Sequence, residues 1–335
     1  MNICICGGGS LGHVCAGFLA AQQGVNVSIL TQRPALWKKE ITITDPENKV
    51  FTGNLATITS DAAEAVSGCD IVLLCLPGYL IEKTLRQIAP HIGTSTFVGS
   101  IVASTGFFFF AHAVLPANRL FGFQRVPFIA RVREYGSSAS LLGYKPRISV
   151  AVENAPDAEV FRQTIEKLFR TPTDLLGSFY EAALTNSNPI LHTGRLYSMW
   201  RNWDGTPYDH NILFYREWTD EASQCIIDMD AEFMRLLSQL PVRKDSIPTL
   251  LDYYESKDAA SLTKKISSIP AFVGIQSPMK ETPDGWIPDF SSRYFTEDFP
   301  FGLRFIVELA QKHGVATPVI DEVYRWGKSV TASTE

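Results

Sequence analysis

Nowhere in the 335 residues do five basic side chains run together. A dedicated nucleic-acid binder usually carries such a stripe, and 30 Lys and Arg stand against 35 Asp and Glu, so that class is excluded. No apolar stretch reaches the roughly 18–20 residues of a membrane span. The longest, residues 101–115, is interrupted by Ser104, Thr105 and His112. No two cysteines are separated by two residues, the spacing of many zinc and thiol-redox sites, and no metal is expected. Cysteine is scarce, and five of the six (Cys4, Cys6, Cys15, Cys69 and Cys75) lie in apolar runs of the first 75 residues. Buried, reduced thiols in a cytoplasmic protein are the expectation. The N-terminus has no positive leader and its apolar run breaks at Gly7-Gly8-Gly9-Ser10, so no signal peptide is expected. Charged residues are only 19% and hydrophobic ones 45%, which excludes a disordered or coiled-coil chain. No internal repeat or low-complexity segment is evident.

At about 150 residues per domain, the length suggests two domains. Residues 2–6, Asn-Ile-Cys-Ile-Cys, read as a buried parallel strand, Leu11 to Gln23 as a helix ended by Gly24, and Val25 to Leu30 as a second strand. Residues 69–76 and 95–101 read as further strands, with a helix over 79–88 between them. A β-rich run over 147–153 and a helix over 157–169 follow. Beyond residue 172 the pattern turns helical. Thr219 can cap a helix through Leu240, Ser246 and Pro248 open another, Phe299 to His313 ends at Gly314, and Thr317-Pro318 starts the last. The division is placed at 1–172 and 173–335, with a cleft between the halves where small-molecule sites concentrate.

Gly7-Gly8-Gly9-Ser10-Leu11-Gly12 fits Gly-x-Gly-x-x-Gly, and it follows a strand and opens a helix, the context a dinucleotide site requires. Gly7 permits the tight turn, Gly9 lets the backbone approach a pyrophosphate, and Gly12 lets the helix pack close to the strand. The helix start at Ser10 and Leu11 offers N–H groups to phosphates. The fold class expected is therefore an α/β N-terminal domain of Rossmann type with a parallel sheet, followed by an all-α C-terminal domain. The second strand runs into Thr31-Gln32-Arg33, with Lys38 and Lys39 beyond, and offers no carboxylate to a ribose 2′-hydroxyl. This predicts NADP(H) in preference to NAD(H). Pro77, in Cys75-Leu76-Pro77-Gly78, lies at the strand-end edge where the cofactor sits in such folds, and Pro77-Gly78 fits a plain turn equally well.

Two polar segments exceed what packing needs: Asn186-Ser187-Asn188-Pro189-Ile190-Leu191-His192-Thr193-Gly194-Arg195, and Ser291-Ser292-Arg293-Tyr294-Phe295-Thr296-Glu297-Asp298-Phe299-Pro300-Phe301-Gly302. With the leading glycine motif, and in this order, they resemble the octopine/nopaline (opine) dehydrogenase family over most of the chain. The resemblance implies reductive condensation. An amino acid's amine attacks a 2-oxo acid's carbonyl, water leaves, and NAD(P)H reduces the imine; the reverse is an oxidation. It also implies roles. His192 moves the proton, as a histidine can near neutral pH, and Asp298 orients it. Arg293 holds the 2-oxo acid's carboxylate through two parallel hydrogen bonds.

Read without the resemblance, His192 fits a packed core histidine, Asp298 an N-cap of the helix after Phe299-Pro300, and Arg293 a surface ion pair. Gln124, after the Phe107–Phe110 run, is expected to border the substrate, and Asn186 or Asn188 either reaches the nicotinamide or its ribose or serves a turn before Pro189. Two other functions compete. A 2-oxo acid reductase of the ketopantoate reductase type shares the two-domain order but carries a catalytic Lys where its helical domain begins, and Glu181 to His192 contains none. A non-catalytic NADP-binding sensor would lose nothing on His192→Ala. The expected partners are an amino acid and a 2-oxo acid, with no nucleic acid and no membrane; the oligomeric state stays open, a homodimer included.

Overall fold

A buried strand needs apolar side chains on both faces, and Asn2–Cys6 (β1) supplies them, being buried from Ile3 onward. The computed structural model describes residues 1–332. Two compact units form, Met1–Thr185 and Asn186–Glu335.

In the first unit β1 leads through the glycine turn into α1 (Ser10–Ala20) and β2 (Asn26–Leu30). Then come β3 (Glu40–Thr44), β4 (Val50–Thr59), α2 (Ala62–Val66), β5 (Ile71–Leu74), α3 (Gly78–Ile88), β6 (Phe97–Ser100), α4 (Phe107–Val114) and β7 (Arg119–Phe123). The hairpin β8 (Phe128–Glu134) and β9 (Ser138–Tyr144), β10 (Ile148–Glu153), α5 (Ala158–Phe169), β11 (Thr173–Leu175) and α6 (Phe179–Ala183) complete it. The sheet order is β11-β10-β7-β6-β5-β1-β2-β4-β3-β9-β8. Its centre is parallel, as β5-β1-β2 must be when helices cross over between them. The β3/β4, β8/β9 and β7/β10 pairs are antiparallel.

Strands β3, β4, β8 and β9 lie where the sequence shows no continuous apolar run. In β4 exposed and buried residues alternate over its first half, so the strand presents one face to the core and reads as mixed polarity. The unit boundary falls after Thr185, later than the expected 172. The reason is pairing: β11 extends the sheet beside β10, from Ile148↔Thr173 to Val150↔Leu175, and Phe179 of α6 packs on Phe108.

The second unit contains α7 (Asn188–Trp200), α8 (Asp220–Leu237), α9 (Leu250–Tyr253), α10 (Ala259–Ser268), a π-helical segment (Tyr294–Leu303), α11 (Arg304–Lys312) and α12 (Pro318–Ala332). Thr219 caps α8, its hydroxyl accepting from the Ala222 N–H at 3.2 Å. One small hairpin, β12 (Met279–Thr282) with β13 (Gly285–Pro288), is added to the helical frame. Among the described residues no helix is long and apolar enough to cross a membrane.

Candidate active site

The glycine turn shapes the candidate cofactor site of the first unit. Gly7 has φ +123°, and a Cβ there would stand 2.5 Å from the Cys75 carbonyl oxygen. A Cβ on Gly12 would stand 2.0 Å from the Gly7 oxygen, so the helix lies directly against the turn. Gly9 faces open space and caps α1 without any side-chain hydrogen bond, which leaves the first-turn N–H groups for an anion. Leu11 packs against the core. The Ser10 hydroxyl accepts from the Val132 N–H at 3.2 Å, which ties the turn to β8. Pro77 is the N-cap of α3.

Beside the turn opens a cavity of about 270 Å³, lined by Gly7, Gly8, Thr31, Arg33, Lys83 and Tyr135 among others. No carboxylate lines it among the described residues. The turn, the uncapped helix and the cavity together fit the pyrophosphate and adenosine end of a nicotinamide dinucleotide. Lys38 stands apart, paired with Glu134 at 3.1 Å.

Two residues shaping this region carry no sequence motif. Tyr135 sits above Gly8, where a Cβ would lie 2.5 Å from its hydroxyl. His13 is fully buried, stacked on Trp37 at 4.1 Å, and its Nε2 accepts the Gly136 N–H at 2.7 Å. Its Nδ1 therefore carries the proton and donates to the Gly9 carbonyl at 2.9 Å. Burial pushes its pKa down, against the Gly9 hydrogen bond, so this clamp is neutral.

The second unit holds the proposed chemistry. Gly194 lets α7 close on α8, since a Cβ there would meet Ile226 at 2.6 Å. Gly302 lies against Pro189 in the same way and seats the π-helical segment on the start of α7. That segment turns Phe295 and Phe299 into the core, their rings stacked at 5.5 Å. It turns Tyr294 and Asp298 toward α7. His192 Nδ1 lies 2.8 Å from Asp298 Oδ2, with side-chain exposures of 12% and 18%. The Tyr294 ring is 4.9 Å from the imidazole. Asp298 is thus no N-cap: it lies inside a helical segment that also contains Pro300.

The structure adds a partner absent from the sequence reading. His192 Nε2 is 2.8 Å from the Tyr215 hydroxyl. Burial, together with Tyr294, Tyr254 and Asp298, pushes the Tyr215 pKa well above the usual phenol value, so the phenol keeps its proton. In the neutral imidazole Nδ1–H donates to Asp298 and Nε2 accepts from Tyr215. Tyr215 follows Ile-Leu-Phe and reads in the sequence as core.

The other expected residues are placed as follows. Arg293 precedes Tyr294, is exposed, and makes no hydrogen bond or ion pair among the described residues. Asn188 begins α7, its N–H donating to Asn186 Oδ1 at 3.2 Å. Gln124 donates from Nε2 to the Glu181 carbonyl at 3.2 Å, so in this structure its amide nitrogen joins β7 to α6.

Comparison with known proteins bears on the family and the fold. A family model described as NAD/NADP octopine/nopaline dehydrogenase, alpha-helical domain, matches residues 175–331. A second, ketopantoate reductase PanE/ApbA, matches residues 3–106. Opine dehydrogenase of Haliotis discus hannai is 27% identical, covering 100% of this chain and 92% of that protein. Octopine dehydrogenase of Mizuhopecten yessoensis is 26% identical, covering 98% and 89%. A solved octopine dehydrogenase with NADH and L-arginine superposes with TM-score 0.86 at 25% identity, covering 99% of this chain and 90% of that one. The chain belongs to the octopine/nopaline (opine) dehydrogenase family, oxidoreductases that act on CH–NH bonds with a nicotinamide cofactor.

Proposed function

We propose that His192, oriented by Asp298, transfers the proton in a reductive condensation of an amino acid with a 2-oxo acid, and in the reverse oxidation. The observation that carries this is the 2.8 Å contact between two side chains 106 positions apart in the chain. The cofactor, when bound, supplies or takes up the hydride. His192 is the source of the proton taken by the oxygen that leaves as water, and Asp298 stabilises the imidazolium formed in the reverse direction. Mixing the protein with NADPH, pyruvate and a panel of amino acids tests it. Amine-dependent loss of the reduced-nicotinamide absorbance is expected; a rate never above the amine-free one would remove the C–N assignment. Amine-free reduction of ketopantoate would instead favour the reductase reading, which the match over residues 3–106 supports but the missing Lys between Glu181 and His192 opposes.

Arg293 is assigned to the 2-oxo acid's carboxylate, and its unpaired guanidinium supports this. Arg293→Ala is expected to raise KM for the oxo acid about tenfold to thirtyfold, with cofactor affinity unchanged. Arg293→Lys should recover only part, because an ammonium lacks the bidentate fork. An unchanged KM in Arg293→Ala would place the carboxylate elsewhere.

NADP(H) is preferred over NAD(H) in this reading. Arg33 and Lys83 line the cavity and, among the described residues, no carboxylate does, which suits a ribose 2′-phosphate. Arg33→Ala is expected to raise KM for NADPH about tenfold and to leave KM for NADH nearly unchanged. A wild-type enzyme that favours NADH in kcat/KM would overturn the preference. Six unpaired cysteines support a cytoplasmic location.

A further inference from the structure

An imidazole has two in-plane nitrogens, and both of His192's are occupied within its own unit, by Asp298 and by Tyr215. A direct transfer from Nε2 to a substrate would first break the Tyr215 bond. Tyr215 is not free to swing away. It is 6% exposed, and its ring stacks on Phe272 at 4.4 Å and packs edge-on to Phe214 at 4.9 Å. The main chain on both sides of it is clamped from α7. Arg195, one turn beyond His192, donates to the Phe214 carbonyl at 3.2 Å and to the Glu217 carbonyl at 2.7 Å. Arg195 is itself buried and stands over the Trp218 ring at 5.3 Å. One helix thus holds both the imidazole and the loop that presents the phenol to it.

We propose that Tyr215 is the third member of a proton chain, Asp298–His192–Tyr215, and that its hydroxyl, not Nε2, exchanges the proton with the substrate oxygen. This rests on the function proposed above. In the condensing direction the carbinolamine C–O bond breaks and its electron pair leaves on oxygen. That oxygen takes the Tyr215 proton and departs as water. Tyr215 takes the Nε2 proton in the same step, and His192 ends neutral with Nδ1–H on Asp298. In the reverse direction water gives its proton to Tyr215 as it adds to the imine carbon, Tyr215 gives its own to Nε2, and Asp298 faces the imidazolium. Held far from ionising, the phenol passes a proton only while receiving another, so two protons move together.

The test is Tyr215→Phe, which keeps the ring and removes only the hydroxyl. Amine-dependent kcat is expected to fall about 30-fold, the residue being direct transfer from Nε2. KM for the oxo acid and NADPH affinity should stay near wild type, and the thermal midpoint should fall less than in His192→Ala. In mixtures of light and heavy water, the wild-type rate should bow downward with deuterium content, as two protons in flight require, and the variant's should be linear. A variant with wild-type kcat would overturn the chain, as would a slow variant whose isotope dependence keeps the wild-type curvature, since that loss is structural. In either case an inactive His192→Ala leaves the proposed function standing. A wild-type protein without amine-dependent turnover would remove both.

Discussion

His192→Ala is expected to lower kcat by about 10³–10⁴-fold while NADPH still binds, the upper range of what general acid–base catalysis contributes. The size follows from the surroundings. Asp298 would face a void, and among the described residues no other histidine or lysine is hydrogen-bonded to it or to the Tyr215 hydroxyl. Removing the imidazole also strands the Tyr215 hydroxyl and the Asp298 carboxylate, which costs about 1–3 kcal/mol of stability for buried groups left unpaired. The assay therefore needs three readings on one preparation: turnover, NADPH affinity and thermal midpoint. Lost turnover with intact cofactor binding identifies an enzyme with His192 at its centre. Turnover near the wild-type rate would move the proton transfer elsewhere. A wild-type chain that binds NADPH and turns over no pairing of amine and oxo acid would support the sensor.

Gly12→Val is expected to weaken NADPH binding more than about 100-fold, equivalent to about 3 kcal/mol, and to lower the thermal midpoint. At this position a Cβ would lie 2.0 Å from the Gly7 carbonyl oxygen. The neighbour is main chain, so no flexible side chain can yield; either α1 or the turn must move. Moving the turn disturbs Gly7, which already holds φ +123° beside the Cys75 carbonyl. Moving α1 pulls on His13, which joins Gly9 to the Gly136 turn. Both shifts displace the N–H groups meant for the pyrophosphate. Calorimetric titration with NADPH decides it, and wild-type affinity in Gly12→Val would mean that the cofactor does not use this turn.

Several site residues were legible because their signals are short-range. A glycine turn after an apolar strand is written in consecutive residues: Gly7 holds φ +123°, Gly12 lies against the Gly7 carbonyl oxygen and Gly9 faces open space. His192 and Asp298 were legible through their polar segments and the family they resemble. Tyr215, Tyr135 and His13 were not. None is part of a motif, and the importance of each lies in contacts to residues far along the chain. Lys83 was missed for a similar reason: on α3 it reads as a solvated helix position, and only the folded unit brings it to the cavity that Arg33 also lines.

The amino-acid order alone was enough for the two-part plan and the glycine turn, since apolar period and glycine spacing act over a few residues; the proposed acid–base pair came from the family resemblance. Folding decided which atoms meet. The approach of Asp298 to His192 depends on Gly302 lying against Pro189, and the phenol on Nε2 depends on Arg195 holding two carbonyls around it. Hydrogen bonds demand placement within a few tenths of an ångström. That tolerance is met by the packing of whole helices, which no local stretch of sequence encodes.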